Sequence, residues 1–220
     1  MREVLTYARR GSRFTPQQQA AWDAHHEEWV VPDEAVDVPG VRIADWFGRE
    51  APLVIEIGSG IGEATAALAA SRPEVNVLAI EVWRPGIATA LGLVEAAGAT
   101  NVRFLSVDAV WTMENLVEPG SLEELWTFFP DPWPKKKHHK RRLVTPSFAA
   151  LVGTRLRPGG SWRLATDWAD YAEQMREVLD AEPSLEGGPV ERWDERPVTK
   201  FERKGVAVDR EIVDLRYRTR

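Results

Sequence analysis

Leu53 to Glu63 reads LVIEIGSGIGE, and within it the chain changes from strand chemistry to helix chemistry. Leu53, Val54, Ile55 and Ile57 form the short apolar run of a buried strand. Gly58, Ser59, Gly60, Ile61 and Gly62 come next, and small residues here let a tight turn bring backbone close to a ligand. A helix resumes over Glu63–Ala70, and the unpaired N–H groups of its first turn lie beside whatever the turn holds. Glu56 is a carboxylate inside an apolar strand, a costly arrangement unless it is solvated or partnered near the strand end. A glycine-rich turn alone also serves as a structural bend, so its meaning depends on the neighbouring strand.

One strand later, Val75–Val82 (VNVLAIEV) ends near Glu81, 23 residues after Gly58. In an open α/β sheet that spacing brings an acid to the crevice beside the turn, where its two oxygens accept from ribose hydroxyls. Turn and acid together predict a nucleoside-bearing cofactor; the plainer reading of an acidic strand end is a solvated cap. The alternation then continues. Pro85–Ala97 reads as a helix stopped by Gly98, Val102–Val107 as a strand ending at Asp108, and Val110–Val117 as a helix. Glu124–Phe129 is a strand, Thr145–Leu156 a helix, Ser161–Thr166 a strand and Asp167–Leu179 a helix. Thr199–Phe201 and Ile212–Tyr217 are expected to close the sheet as antiparallel strands, with Pro183–Pro197 as turn. This repetition predicts a doubly wound, mostly parallel α/β sheet. Residues 51–220 read as one domain. Residues 1–50 read as a basic arm (Arg2, Arg9, Arg10, Arg13), a short helix over Gln17–Trp29 and a linker.

At 220 residues and 44% hydrophobic, the chain is long enough to bury a full core. The absence of cysteine excludes disulfides, thiolate catalysis and Cys-ligated metal, and fits a reducing, cytoplasmic setting. With no long apolar run and no signal-like N-terminus, neither membrane insertion nor secretion is expected. A net charge of −6 taken alone argues against a nucleic-acid partner. The charge is segregated, however: Asp170–Glu195 holds nine acids against two arginines, and Arg196–Arg220 holds eight basic residues against four acids.

The densest cationic run lies in Phe128–Arg142, FFPDPWPKKKHHKRR. It comes directly after a strand, so it sits at the same sheet edge as the glycine turn. Pro130 and Pro132 restrict the loop around Asp131 and hold one carboxylate in place. Trp133 offers a flat face, and Lys135, Lys136, Lys137, Lys140, Arg141 and Arg142 lie just beyond it with His138 and His139 among them. Cations beside an aromatic platform suit a nucleic-acid backbone and a base; the plainer reading is a solvated surface. With no cysteine, no HExxH and cations all around, the histidine pair is not read as a metal site. Asp108 is placed toward an adenine amine, and Asp131 and Asp167 toward a second substrate. With Glu56 and Glu81 they make five carboxylates along one edge.

These motifs resemble the bacterial tRNA (guanine-N7)-methyltransferase family, a class I S-adenosylmethionine-dependent group, over nearly the whole chain. The similar stretches are RRGSRFTPQQQAAW, EIGSGIGEAT, IEVWRPG, NVRFLSVDAV, FFPDPWPKKKHHKRRL, LRPGGSWRLATDWADYAEQM and TKFERKG. The resemblance implies a Rossmann-like methyltransferase sheet of seven strands with an antiparallel C-terminal strand. It also implies S-adenosylmethionine as cofactor, tRNA as partner, and methyl transfer to N7 of a guanosine in the variable loop. It implies that Gly58, Gly60 and Gly62 form the cofactor turn, that Glu56 supports the methionine side and Glu81 the ribose, and that Asp108 and Ala109 contact adenine. Asp131 matches the acid central to catalysis, and Lys135, His138, Lys140 and Arg141 match tRNA-facing positions. Asp167 matches the substrate-side aspartate, and Thr199, Lys200, Phe201 and Glu202 match the element that closes the site. Lys137 stands where Arg is frequent, exchanging a rigid fork for a point charge. After TKFERKG, the tail VAVDREIVDLRYR departs from the family's Gly-His-Gly-containing continuation. Three other readings stay open from the residues: the same cofactor with a small-molecule or protein substrate, a non-catalytic RNA-binding module, and NAD binding. Monomer and homodimer are both open.

Overall fold

Residues 11–220 are described by a computed structural model; Arg2, Arg9 and Arg10 of the expected basic arm lie outside them. Helix α1 (Pro16–Trp29) starts where Thr15 accepts from the Gln18 N–H while the Gln18 side chain reaches back to the Thr15 N–H. That reciprocal cap satisfies two amides that a helix start leaves unpaired. A 3-10 turn (Asp33–Asp37) and α2 (Ile43–Phe47) lead into the alternating part. Then come β1 (Leu53–Ile57), α3 (Glu63–Ser71), β2 (Asn76–Ile80), α4 (Arg84–Ala97), β3 (Val102–Leu105), α5 (Ala109–Asn115) and β4 (Leu122–Phe128). The chain continues through a 3-10 turn (Lys136–Arg141), α6 (Pro146–Arg155), β5 (Leu156–Thr166), α7 (Ala169–Asp180), β6 (Leu185–Val190), α8 (Lys200–Val206) and β7 (Val213–Thr219).

The strands form one sheet in the order β3-β2-β1-β4-β5-β7-β6. β1 to β5 are mutually parallel, and β7 runs antiparallel to both of its neighbours. Order reverses between β1 and β4, which opens a crevice at the carboxyl ends of those two strands. Side chains alternate across the sheet and build two cores. Ile55, Leu78, Leu125 and Leu164 pack with residues of α5, α6 and α7, while Val54, Val77 and Trp126 pack with residues of α1, α3 and α4. The residues before β1 belong to this packing. Gln18 donates to the Pro85 carbonyl and to Thr89 on α4, Trp29 and Val31 are buried, and the Val31 N–H pairs with Phe104 O along β3. The β3 edge is thereby covered.

Three expectations for the C-terminal third are corrected. Thr199–Phe201 is not a strand: Thr199 caps α8, its hydroxyl accepting from the Glu202 N–H at 3.3 Å. The second outer strand is instead β6, LEGGPV, inside the stretch expected as turn. Its glycines and proline carry no strand preference, and it is held by its ladder to β7. β5 also begins earlier than Ser161, at Leu156.

Candidate active site

Gly58, Gly60 and Gly62 all take left-handed backbone, with φ of 77°, 60° and 80°. Gly62 is the most constrained, because a β-carbon there would sit 2.3 Å from Ala90 Cβ on α4. A side chain at that position would therefore meet both backbone strain and a clash. Glu81, just past β2, braces the turn: Oε2 accepts the Gly60 N–H and Oε1 the Trp83 N–H, each at 2.8 Å. Glu56 lies buried at the end of β1 and accepts from the Thr65 hydroxyl at 2.5 Å. Burial pushes its pKa up to about 7; the Thr65 hydrogen bond opposes this and the charge on Glu81 adds to it. The Ser59 hydroxyl oxygen is buried with no hydrogen-bond partner among the described residues.

The facing wall is the loop after β4. Phe129 and Trp133 hold φ of 52° and 45°, left-handed values that are uncommon for aromatic residues. Phe129 is fixed by its N–H on Ala165 O at 2.7 Å, and Asp131 lies between the two strained positions. Arg142 is only 1% exposed. Its guanidinium reaches Pro132 O at 2.8 Å, Gln174 Oε1 at 2.8 Å and Asp170 Oδ2 at 2.9 Å, and lies over the Tyr171 ring. It therefore fastens the loop to α7, whereas the sequence grouped it with the surface cations. Lys135, Lys136, Lys137 and Lys140 are exposed. Arg141 stacks over Trp133 at 4.8 Å, and His138 meets the same ring edge-on. Desolvation and then the neighbouring Arg141 and lysines depress the His138 pKa below its ordinary 6.5.

A cleft runs between these walls. Gly58, Gly60, Glu56, Glu81, Ala109 and Asp131 line it together with Thr199 and Phe201 from the start of α8. The glycine turn and Asp131 thus share one cavity. Helix α8 is strapped across it by Glu63 of α3, which accepts from the Lys200 N–H and from Arg203. Gly62, Lys200 and the loop residues Lys135, His138, Lys140 and Arg141 stand outside the lining, and so do Asp108, Glu202 and Asp167. Asp108 caps α5, its Oδ1 accepting from the Val110 and Trp111 N–H groups, so that its neighbours Val107 and Ala109 form the wall. Glu202 is buried between Arg192 and Arg196 at 2.8 and 2.6 Å, and Arg196 also binds Asp214 at 2.9 Å. Asp167 sits just past β5, paired with Arg210. Thr65, Glu63, Arg196 and Arg210 carry no signal in the sequence that marks these contacts. Their partners lie far along the chain or depend on burial, which no local pattern records. Among the described residues, no cluster of His, Asp or Glu could hold a metal ion, and no helix is long and apolar enough to cross a membrane.

Comparison with known proteins gives this arrangement a family. A family model described as a putative methyltransferase matches residues 50–215. The tRNA (guanine-N(7)-)-methyltransferase of a Nocardioides species is 72% identical over 220 residues, covering 100% of this chain and 89% of that protein. The chain belongs to the tRNA (guanine-N7)-methyltransferase family. Other members are more distant: the Cutibacterium acnes protein is 49% identical over 99% of this chain and 83% of its own, and that of Burkholderia cenocepacia 43% over 100% and 86%. Among solved structures, the 16S rRNA methyltransferase KamB superposes with a TM-score of 0.55 at 16% identity, covering 100% of this chain and 99% of the other. The 16S rRNA (adenine(1408)-N(1))-methyltransferase of Catenulisporales acidiphilia gives 0.53 at 15%, over 80% and 89%. At such identities the likeness concerns the fold. The chain has a seven-stranded, mostly parallel sheet, and its fold is like that of these two methyltransferases.

Proposed function

We propose that the chain transfers the methyl group of S-adenosylmethionine to N7 of the guanosine at nucleotide 46, in the variable loop of tRNA. The observation that carries this reading is the single cleft bounded on one side by the glycine turn and on the other by Asp131. The residues present fit the cofactor. The turn brings backbone N–H groups and the Ser59 hydroxyl, unpartnered among the described residues, to the cavity, and Glu81 supplies a carboxylate at the end of β2 for a ribose. Val107 and Ala109 give an apolar wall for a flat base, and Glu56 places a carboxyl group where a ligand cation would favour its ionised form. The bound cofactor supplies a sulfonium methyl group, electrophilic toward a lone pair.

Guanine N7 carries such a lone pair and no proton, so no general base is required and positioning does most of the work. Asp131 accepts from guanine N1–H or the 2-amino group, and its charge stabilises the cation that develops on the ring. Adenine lacks both donors and would forgo these hydrogen bonds. Asp167, just past the neighbouring strand, assists from the substrate side. The target base must leave its tertiary contacts to enter the cleft. Lys135, Lys140 and Arg141 favour this opening by phosphate contacts that weaken with salt, with His138 among them as a hydrogen-bonding group. Thr199 and Phe201 close the cavity over the reacting groups, limiting access of water. The same reading puts the chain in the cytoplasm with its substrate. Incubation with labelled S-adenosylmethionine and unmodified tRNA, followed by nucleoside mapping, tests it. Label on guanine N7 in the variable loop is expected; label elsewhere in the RNA, or only in protein, would overturn it.

A further inference from the structure

We propose that Arg210 is a positioning residue of this site, holding the Asp167 carboxylate in a fixed orientation for the substrate base. The role rests on the substrate-side function given to Asp167 above. Arg210 Nη1 donates to Asp167 Oδ2 at 2.7 Å, and its guanidinium lies over the Trp168 ring, 4.6 Å from the centroid. No other hydrogen-bond partner of that carboxylate lies among the described residues, so one oxygen is held and the other remains for a substrate donor. A fixed carboxylate at this place matters because Asp167 directly succeeds β5, and β5 holds the Asp131 loop through Ala165 O and the Phe129 N–H.

The backbone of Arg210 is itself fixed by the way α8 ends. Asp209 takes a left-handed φ of 55°, its N–H bonds Val206 O, and the Arg210 N–H bonds Gly205 O, each at 3.0 Å. These paired bonds close the helix end and aim the next side chain. Gly205 permits the approach: a β-carbon there would come 2.8 Å from Asp167 Cβ and push α8 off the acid. Because α8 starts with Thr199 and Phe201, the same contact couples the cleft wall to the substrate-side acid. The pair is 43% and 18% exposed, and ion pairs of that exposure add little to stability. A planar guanidinium stacked on an indole does restrict orientation, and lysine would keep the charge without the fork. The residue lies in the tail that departs from the family motif, so the motif does not assign it.

The test compares full-length wild type, Arg210→Ala, Arg210→Lys, Asp167→Asn and the Arg210→Ala/Asp167→Asn double variant. It measures kcat and KM on unmodified tRNA, direct S-adenosylmethionine titration, and Tm. Arg210→Ala is expected to lower kcat/KM about tenfold with cofactor affinity within about twofold and Tm within about 2 °C. In the Asp167→Asn background the same change should cost less than about twofold, and Arg210→Lys should fall between. Activity of Arg210→Ala within about twofold of wild type, or losses that multiply in the double variant, would overturn the role. Multiplying losses together with a salt slope reduced by about one would instead make Arg210 a phosphate contact. If Arg210→Ala fails to fold, Arg210→Lys carries the comparison by the same criteria. Wild type inactive on tRNA would overturn the proposed function, and this role with it.

Discussion

Glu56 is a carboxyl group buried against the cleft, and its burial dictates a pH response. Its folded pKa of about 7 lies above the ordinary 4.5, so between those values the folded chain holds a proton that the unfolded chain releases. The stability it contributes is complete below about pH 4.5 and declines as pH rises toward 7, by about 3 kcal/mol in all. Thermal denaturation without cofactor should therefore show Tm falling from pH 5 to 8, and Glu56→Gln should flatten that fall. An equal fall in both proteins would contradict the assignment. Glu202 acts in the opposite sense and at lower pH: burial pushes its pKa up, but Arg192 and Arg196 outweigh it and hold it below the usual range. Its contribution is lost as pH drops through that depressed value. Gly62→Ala is expected to cost about 2–4 kcal/mol, from left-handed strain plus the clash with Ala90, as read by chemical denaturation.

At the scale of elements, the cationic stretch after β4 divides into two mechanical kinds. Lys135 and Lys140 are exposed and Arg141 is half-buried on Trp133, whereas Arg142 is buried and ties Pro132 to α7. Changing Lys135, Lys140 and Arg141 together to alanine should weaken tRNA binding, flatten its salt dependence and leave Tm nearly unchanged. Arg142→Ala should instead lower stability by about 2–4 kcal/mol and reduce turnover with the salt slope intact, because the loop that carries Asp131 loses its anchor. Binding isotherms at several salt concentrations, with melting curves, separate the two. Sequence marks this stretch correctly as dense in charge beside an aromatic. It does not separate Arg142, whose partners Asp170 and Gln174 lie some 30 residues away and meet it only through the fold. Thr199 misleads in a similar way: TKF leans toward strand by composition, yet the hydroxyl caps a helix once Glu202 is drawn inward by two arginines.

At the scale of the whole molecule, the parallel half of the sheet is legible because its strands are buried on both faces and so read as continuous apolar runs between helical stretches. The glycine turn and Glu81 are legible because a tight turn and an acid at a fixed distance leave a local mark. β6 is not, since LEGGPV forms a strand only by pairing with β7. The net charge of −6 is likewise a poor guide, because the acids concentrate in α7 and the loops after it while four lysines stand exposed at the cleft loop. What makes the chain an enzyme in this view is that two distant stretches, the β1 turn and the β4 loop, meet across one cavity with separate tasks. Turnover and direct cofactor titration of Asp131→Ala test that division. Turnover on unmodified tRNA should fall by about 100-fold or more while S-adenosylmethionine affinity stays within about threefold. Cofactor affinity lost along with activity, or turnover left intact, would contradict it.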